Sequence, residues 1–174
     1  IAIGKGANAT KENGIAIGFD ATNQSIDSIA IGREATSSKD MDVAIGKQAK
    51  ATGGESLAFG SQSKASGQAT VAVGKESNAS GSSAVAAGYQ SAAAGNNAVA
   101  VGKNTTAGAE NAIAVGLRAT ATGTRAIATG AGSSATGAQS LAAGFMANAI
   151  ANNTIAQGNT ATAHKESDIA IGTS

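Results

Sequence analysis

Thirteen glycines stand fourteen residues apart, from Gly4 to Gly172, and the residue after each is where side chains able to recognise another molecule gather. That column reads Lys5, Phe19, Arg33, Lys47, Ser61, Lys75, Tyr89, Lys103, Leu117, Ala131, Phe145 and Asn159. Three of the four aromatic residues of the chain fall in it, among four lysines and one arginine. Rings and cations side by side suit non-covalent recognition, because aromatic and arginine side chains dominate binding hot spots. The candidate contacts are therefore Phe19, Arg33, Lys47, Lys75, Tyr89, Lys103, Leu117 and Phe145. A plainer reading fits the same residues: the apolar ones pack across the rim of an oligomer, and the cations form a solvated face that blocks lateral aggregation.

Bond-making chemistry finds little material. His164 is the single histidine and there is no cysteine, so multi-histidine and cysteine metal sites are excluded and one general base at most remains. Aspartate stands at only five positions, Asp20, Asp27, Asp40, Asp42 and Asp168, whereas calcium-binding solenoids need one in every repeat. Gly4–Gly6 and Gly130–Gly132 do not open a helix, so they are not a nucleotide fingerprint. We expect no catalytic residue, no metal and no cofactor. Twelve basic and eleven acidic residues leave a net charge of +1, which gives no footprint for nucleic acid. Columns four and six past the glycine carry hydroxyls, as in Thr120-Ala121-Thr122, resembling a flat ice-binding array. Lys50, Lys64, Ile150 and His164 interrupt them and argue against it.

The elements that would hold these side chains follow from the spacing. Two residues before every glycine stands alanine, and three before it a branched aliphatic. Three after it the column is small again, and five after it alanine dominates, with Asn23 and Ser37 as exceptions. Period-two alternation makes each unit two short strands joined by tight turns. A second glycine column seven residues on (Gly53, Gly67, Gly81, Gly95, Gly123, Gly137) suits a turn with positive φ. Fourteen residues cannot supply two packed helices, so an all-β solenoid of 14-residue coils is expected, a rod about 58 Å long at the ~4.8 Å strand spacing. Leu, Ile, Val and Phe make up only 27 of 174 residues, too few for a conventional core.

So thin a tube can enclose alanine, serine and threonine, whereas isoleucine inside would overpack it. The aliphatics must point outward: Ile15, Ile29, Val43, Leu57, Val71, Val85, Val99, Ile113, Ile127, Leu141 and Ile155 form one stripe. A stripe of that length exceeds the few hundred square ångströms of apolar patch that soluble monomers tolerate. Covering it is worth about 20–40 kcal/mol per chain as an upper bound. Identical rods aligned about a common axis would cover it, and the spacing itself admits two or three. Thr129, Ala143 and Gln157 replace the second aliphatic near the C-terminus, either as a looser edge of that seam or as a polar layer fixing its register.

The phrases "SIAIGREATS", "AVAVGKNTT" and "NAIAVGLRAT", held in one register over all 174 residues, resemble the head region of trimeric autotransporter adhesins, the YadA-like family of Gram-negative bacteria. The resemblance implies a left-handed parallel β-roll and a homotrimer, each chain partnered by two identical ones. It also implies a place on the cell surface outside the outer membrane, and attachment to a host extracellular-matrix protein or cell-surface receptor. Residues 1–174 would be a single head of about twelve repeats. Both ends stop mid-unit, so a longer chain with a coiled-coil stalk and a membrane anchor is expected. Some members bind collagen through repeats in which Asn-Ser precedes Val-Ala-Ile-Gly. This chain has Asn97-Ala98, Asn111-Ala112 and Asn153-Thr154 instead, so adhesion carries over and collagen does not. The alternative is a structural spacer that projects another binding domain.

Overall fold

In the computed structural model, which describes residues 1–173, every coil contributes one strand to each of two parallel sheets and no helix forms among the described residues. The first strands run from Ala2–Ile3 and Ile15–Ile17 to Ile169–Ile171 and build a 13-stranded sheet. The second run from Asn8–Ala9 and Thr22–Asn23 to Thr162–Ala163 and build a 12-stranded one. Each strand pairs with its equivalent one coil away, as in Val99↔Ile113, Ala100↔Ala114 and Val101↔Val115. The pairing stays in phase throughout, because a one-residue slip would turn every alanine outward.

The expected division of faces holds. Alanines such as Ala16, Ala58, Ala100 and Ala142 are wholly buried, while the aliphatics beside them stay half-exposed on the outer face of the first sheet. From Ala21 onward the small columns three and five past the glycine are buried too, Asn23 and Ser37 included. Inward hydroxyls find a partner within their own coil: Ser63, Ser77 and Ser133 each donate to the glycine carbonyl three residues back, at 2.9 Å. Serine and alanine are therefore interchangeable inside the tube, since the buried hydroxyl is satisfied.

A fourth inward column, ten past the glycine, escapes the sequence reading. Ser28, Asp42, Ser56, Thr70, Ala84, Ala98, Ala112 and Ala126 occupy it, all buried. Asp42 is its one fully buried charge. Its Oδ1 accepts from Gly54 N at 3.0 Å, Ser56 N at 3.1 Å and Ser56 Oγ at 2.6 Å, and its Oδ2 accepts from Lys39 N at 2.9 Å. The carboxylate thus caps the Gly53–Gly54 turn of the next coil. We expect Asp42→Ala to cost about 3 kcal/mol, because it strands several buried donors. Chemical denaturation of the two proteins side by side measures this, and an unchanged midpoint would contradict the capping role.

The second glycine column also corrects the expectation. None of Gly53, Gly67, Gly81, Gly95, Gly123 and Gly137 has a positive φ. Space makes glycine necessary there: a Cβ on Gly81 would lie 1.9 Å from the carbonyl oxygen of Gly95 in the next coil. Positive φ falls instead two and nine residues past the first glycine, on side chains such as Asp20, Glu34, Asp27 and Asn97. Left-handed backbone costs these residues about 1–2 kcal/mol each. The coil-to-coil ladder holds them in place, as when Glu34 N donates to Phe19 O at 2.8 Å.

Candidate functional site

The column after the glycine lies on the turn between the two sheets, so its side chains line one long edge of the rod. Phe19, Tyr89, Leu117 and Phe145 are all exposed on it, Phe145 the most at 57%. Successive members sit one coil apart, and three cations stack on a ring of the neighbouring coil. The Arg33 guanidinium stands 5.6 Å from the centre of the Phe19 ring. Tyr89 lies between two ammonium groups, Lys75 at 5.6 Å and Lys103 at 5.7 Å. These contacts fix long side chains that would otherwise be mobile, and each is worth about 0.5–1 kcal/mol at an exposed site.

The expected contact residues therefore divide. Phe19 joins Arg33, and Tyr89 joins Lys75 and Lys103, as two prepared clusters. Lys47 stands apart with Ser61 on one side. Leu117 and Phe145 are separated by Ala131, so Phe145 has only Ala131 and Asn159 as neighbours in its column, and no cation among the described residues stacks on its ring. Met146, next in sequence and 54% exposed, widens the apolar area around it.

Beside this edge the column two past the glycine forms a ladder of its own. Gln48 Nε2 donates to Glu34 Oε2 at 2.6 Å, and Gln90 Nε2 to Glu76 Oε2 at 2.6 Å. Arg33 Nε pairs with Glu34 Oε1 at 2.8 Å and Lys75 Nζ with Glu76 Oε1 at 3.3 Å. The amide of Gln48 first, then Arg33, holds the Glu34 carboxyl below its ordinary value, and Gln90 followed by Lys75 does the same for Glu76. A lowered folded-state value means that the ladder's contribution is complete above the ordinary carboxylate range. It is lost as pH falls through the lowered value. Gln48→Ala is expected to move the Glu34 titration upward while Glu76 stays in place, which carboxyl-carbon NMR reads directly. Equal movement of both would contradict the local cause.

The eleven aliphatics expected at a shared seam, Ile15 through Ile155, all lie half-buried on the outer face of the first sheet. Phe59, the fourth aromatic, shares that face at 50% exposure. The sequence reading passed over it; the signal was its place one residue before the glycine, a column otherwise mostly aliphatic.

Among the described residues no group of His, Cys, Asp and Glu could hold a metal ion. Short parallel coils with a small-residue interior, an aliphatic outer face and a charged aromatic edge define a parallel β-solenoid. The chain belongs to the YadA head family. The profile of the YadA head domain repeat (2 copies) matches residues 1–21, 25–49, 37–63, 51–77, 79–105, 107–133, 135–156 and 149–174. The chain is thus a YadA-like adhesin head. Among solved structures it is similar to the collagen-binding domain of the Yersinia adhesin YadA, at 25% identity over 98% of this chain and 73% of that one, with a TM-score of 0.45. No curated protein matches the chain.

Proposed function

We propose that this chain is the head of a homotrimeric surface adhesin that attaches bacteria to a host extracellular-matrix protein or cell-surface receptor. Two identical partners cover the outer face of the first sheet, with Ile15, Ile29, Val43, Leu57, Val71, Val85, Val99, Ile113, Ile127, Leu141 and Ile155 at the seam. The coils wind left-handed, as the family implies, and residues 1–174 are one head on a longer chain that a stalk and an outer-membrane anchor hold outside the cell. No chemistry on the ligand is involved and no cofactor is needed.

The observation that carries the adhesive reading is the edge of exposed rings and cations. A spacer needs solubility, which lysine and serine supply; it has no use for Phe19, Tyr89, Leu117 and Phe145 standing in solvent. Individually weak contacts at these side chains, each presented three times, add through multivalency to firm attachment. The test is adhesion of cells displaying the whole protein, a head-deleted form, and Tyr89→Ala with Phe145→Ala. We expect deletion to abolish attachment and the double substitution to weaken it about tenfold or more. Full attachment without the head would overturn the proposal and leave the spacer reading.

A further inference from the structure

The outer face of the second sheet carries a polar groove of about 860 Å³ that no expected contact residue lines. One wall is the ladder Glu34, Gln48, Gln62 and Glu76; the other holds Lys50 and Lys64. These two lysines are register partners on adjacent strands. Like charges directly opposite on neighbouring strands destabilise a sheet, and elsewhere the column avoids them with Thr36, Asn78, Ala92, Thr106 and Thr120.

Among the described residues no carboxylate pairs with either lysine. Glu34 is taken by Arg33 and Gln48, and Glu76 by Lys75 and Gln90. In the lysines' own coils the ladder positions are the uncharged Gln48 and Gln62. Among the described residues, neither Lys50 nor Lys64 has an ion pair. Two free ammonium groups on strands about 4.8 Å apart suit a single oxoanion bridging them.

We propose that this groove binds an acidic oligosaccharide, whose carboxylate or sulfate bridges Lys50 and Lys64 while its hydroxyls meet the amides and hydroxyls alongside. The lining contains no apolar side chain to pocket a peptide residue. Strand addition is closed as well, since Lys50 N and Lys64 N already donate to Ser63 O and Ser77 O of the next coils. A polyphosphate chain would run against the carboxylates of Asp20, Glu34 and Glu76 on the same wall. Saccharide hydroxyls suit what remains, because they both donate and accept. The groove lies on the sheet opposite the aliphatic face. It rests on the adhesive reading only in that assembly through that face leaves three copies open.

The experiment measures binding of a singly sulfated trisaccharide, a sialylated trisaccharide and uncharged lactose to the assembled protein, at low and high salt. At least one charged probe is expected to bind in a salt-dependent manner, and lactose not. Which one binds tells sulfate from carboxylate. Lys50→Thr with Lys64→Thr, using the residue the column carries elsewhere, should lower that affinity about tenfold or more without lowering the melting temperature. Lys11→Gln with Lys165→Gln removes equal charge outside the groove and should change it little. Equal binding by the threonine variant, equal loss in the control pair, or no binding of either charged probe would overturn the proposal. Cells that adhere through the head although no charged saccharide binds would overturn the groove and leave the adhesive reading. Saccharide binding by a head that is dispensable for attachment would do the reverse.

Discussion

Alanine in place of Gly88 is expected to unfold the coils around it. The backbone there has φ 138°, and a Cβ would stand 2.3 Å from the carbonyl oxygen of Gly102 and 2.7 Å from its carbon. Neither neighbour can move, since both belong to the ladder that stacks one coil on the next. Strain in a backbone region nearly closed to L-residues costs about 1–3 kcal/mol, and overpacking about the same again. The sum, about 2–6 kcal/mol, is a large fraction of the stability of a small domain, which is of order 5–15 kcal/mol. Gly108→Ala is the control, because its Cβ would meet nothing nearer than Thr122 Cγ2 at 3.4 Å. Thermal melting followed by circular dichroism should show a large downward shift for Gly88→Ala and a small one for Gly108→Ala. Equal shifts would mean that the glycine register is not what stacks the coils.

The second large effect concerns assembly. Val99→Asp with Ile113→Asp places two carboxylates on register partners of the outer aliphatic face. If sister chains cover that face, the charges are buried without partners, and an uncompensated buried charge costs about 3–5 kcal/mol. Symmetry repeats the cost in every chain, so the expected result is dissociation to single chains. Thr106→Asp with Thr120→Asp, also register partners but on the second sheet, should leave assembly intact. Light scattering distinguishes the outcomes, and an oligomer that persists in the first variant would place the seam elsewhere.

Much of this was legible because the repeat makes each position a column, and a column shows its environment by what it excludes. The invariant alanine before the glycine could only be inside, and the bulky residues flanking it could only be outside. The column ten past the glycine was missed although all but two of its members are small. Asp42 and Asp168 stand in it and break its pattern, and nothing in the sequence shows that Asp42 points inward to four donors of its own turn and the next. The second glycines were assigned to the wrong cause. Close approach of consecutive coils is a tertiary fact, while positive φ is a local one that the ladder imposes on Glu34 or Asn97 as readily as on glycine. At the edge, spacing gave the members of the column but not their pairing. Whether Tyr89 is a free ring or one held between Lys75 and Lys103 depends on side-chain reach, which a list of residues does not contain.

Sedimentation equilibrium of the protein at high dilution tests the central claim most directly, because the seam and the threefold display of the edge both depend on the outer aliphatics being hidden by sister chains. The predicted result is a species with three times the mass of one chain that dissociates only as it unfolds. A folded, cooperatively melting single chain, with Val99 and Ile113 in water, would contradict it.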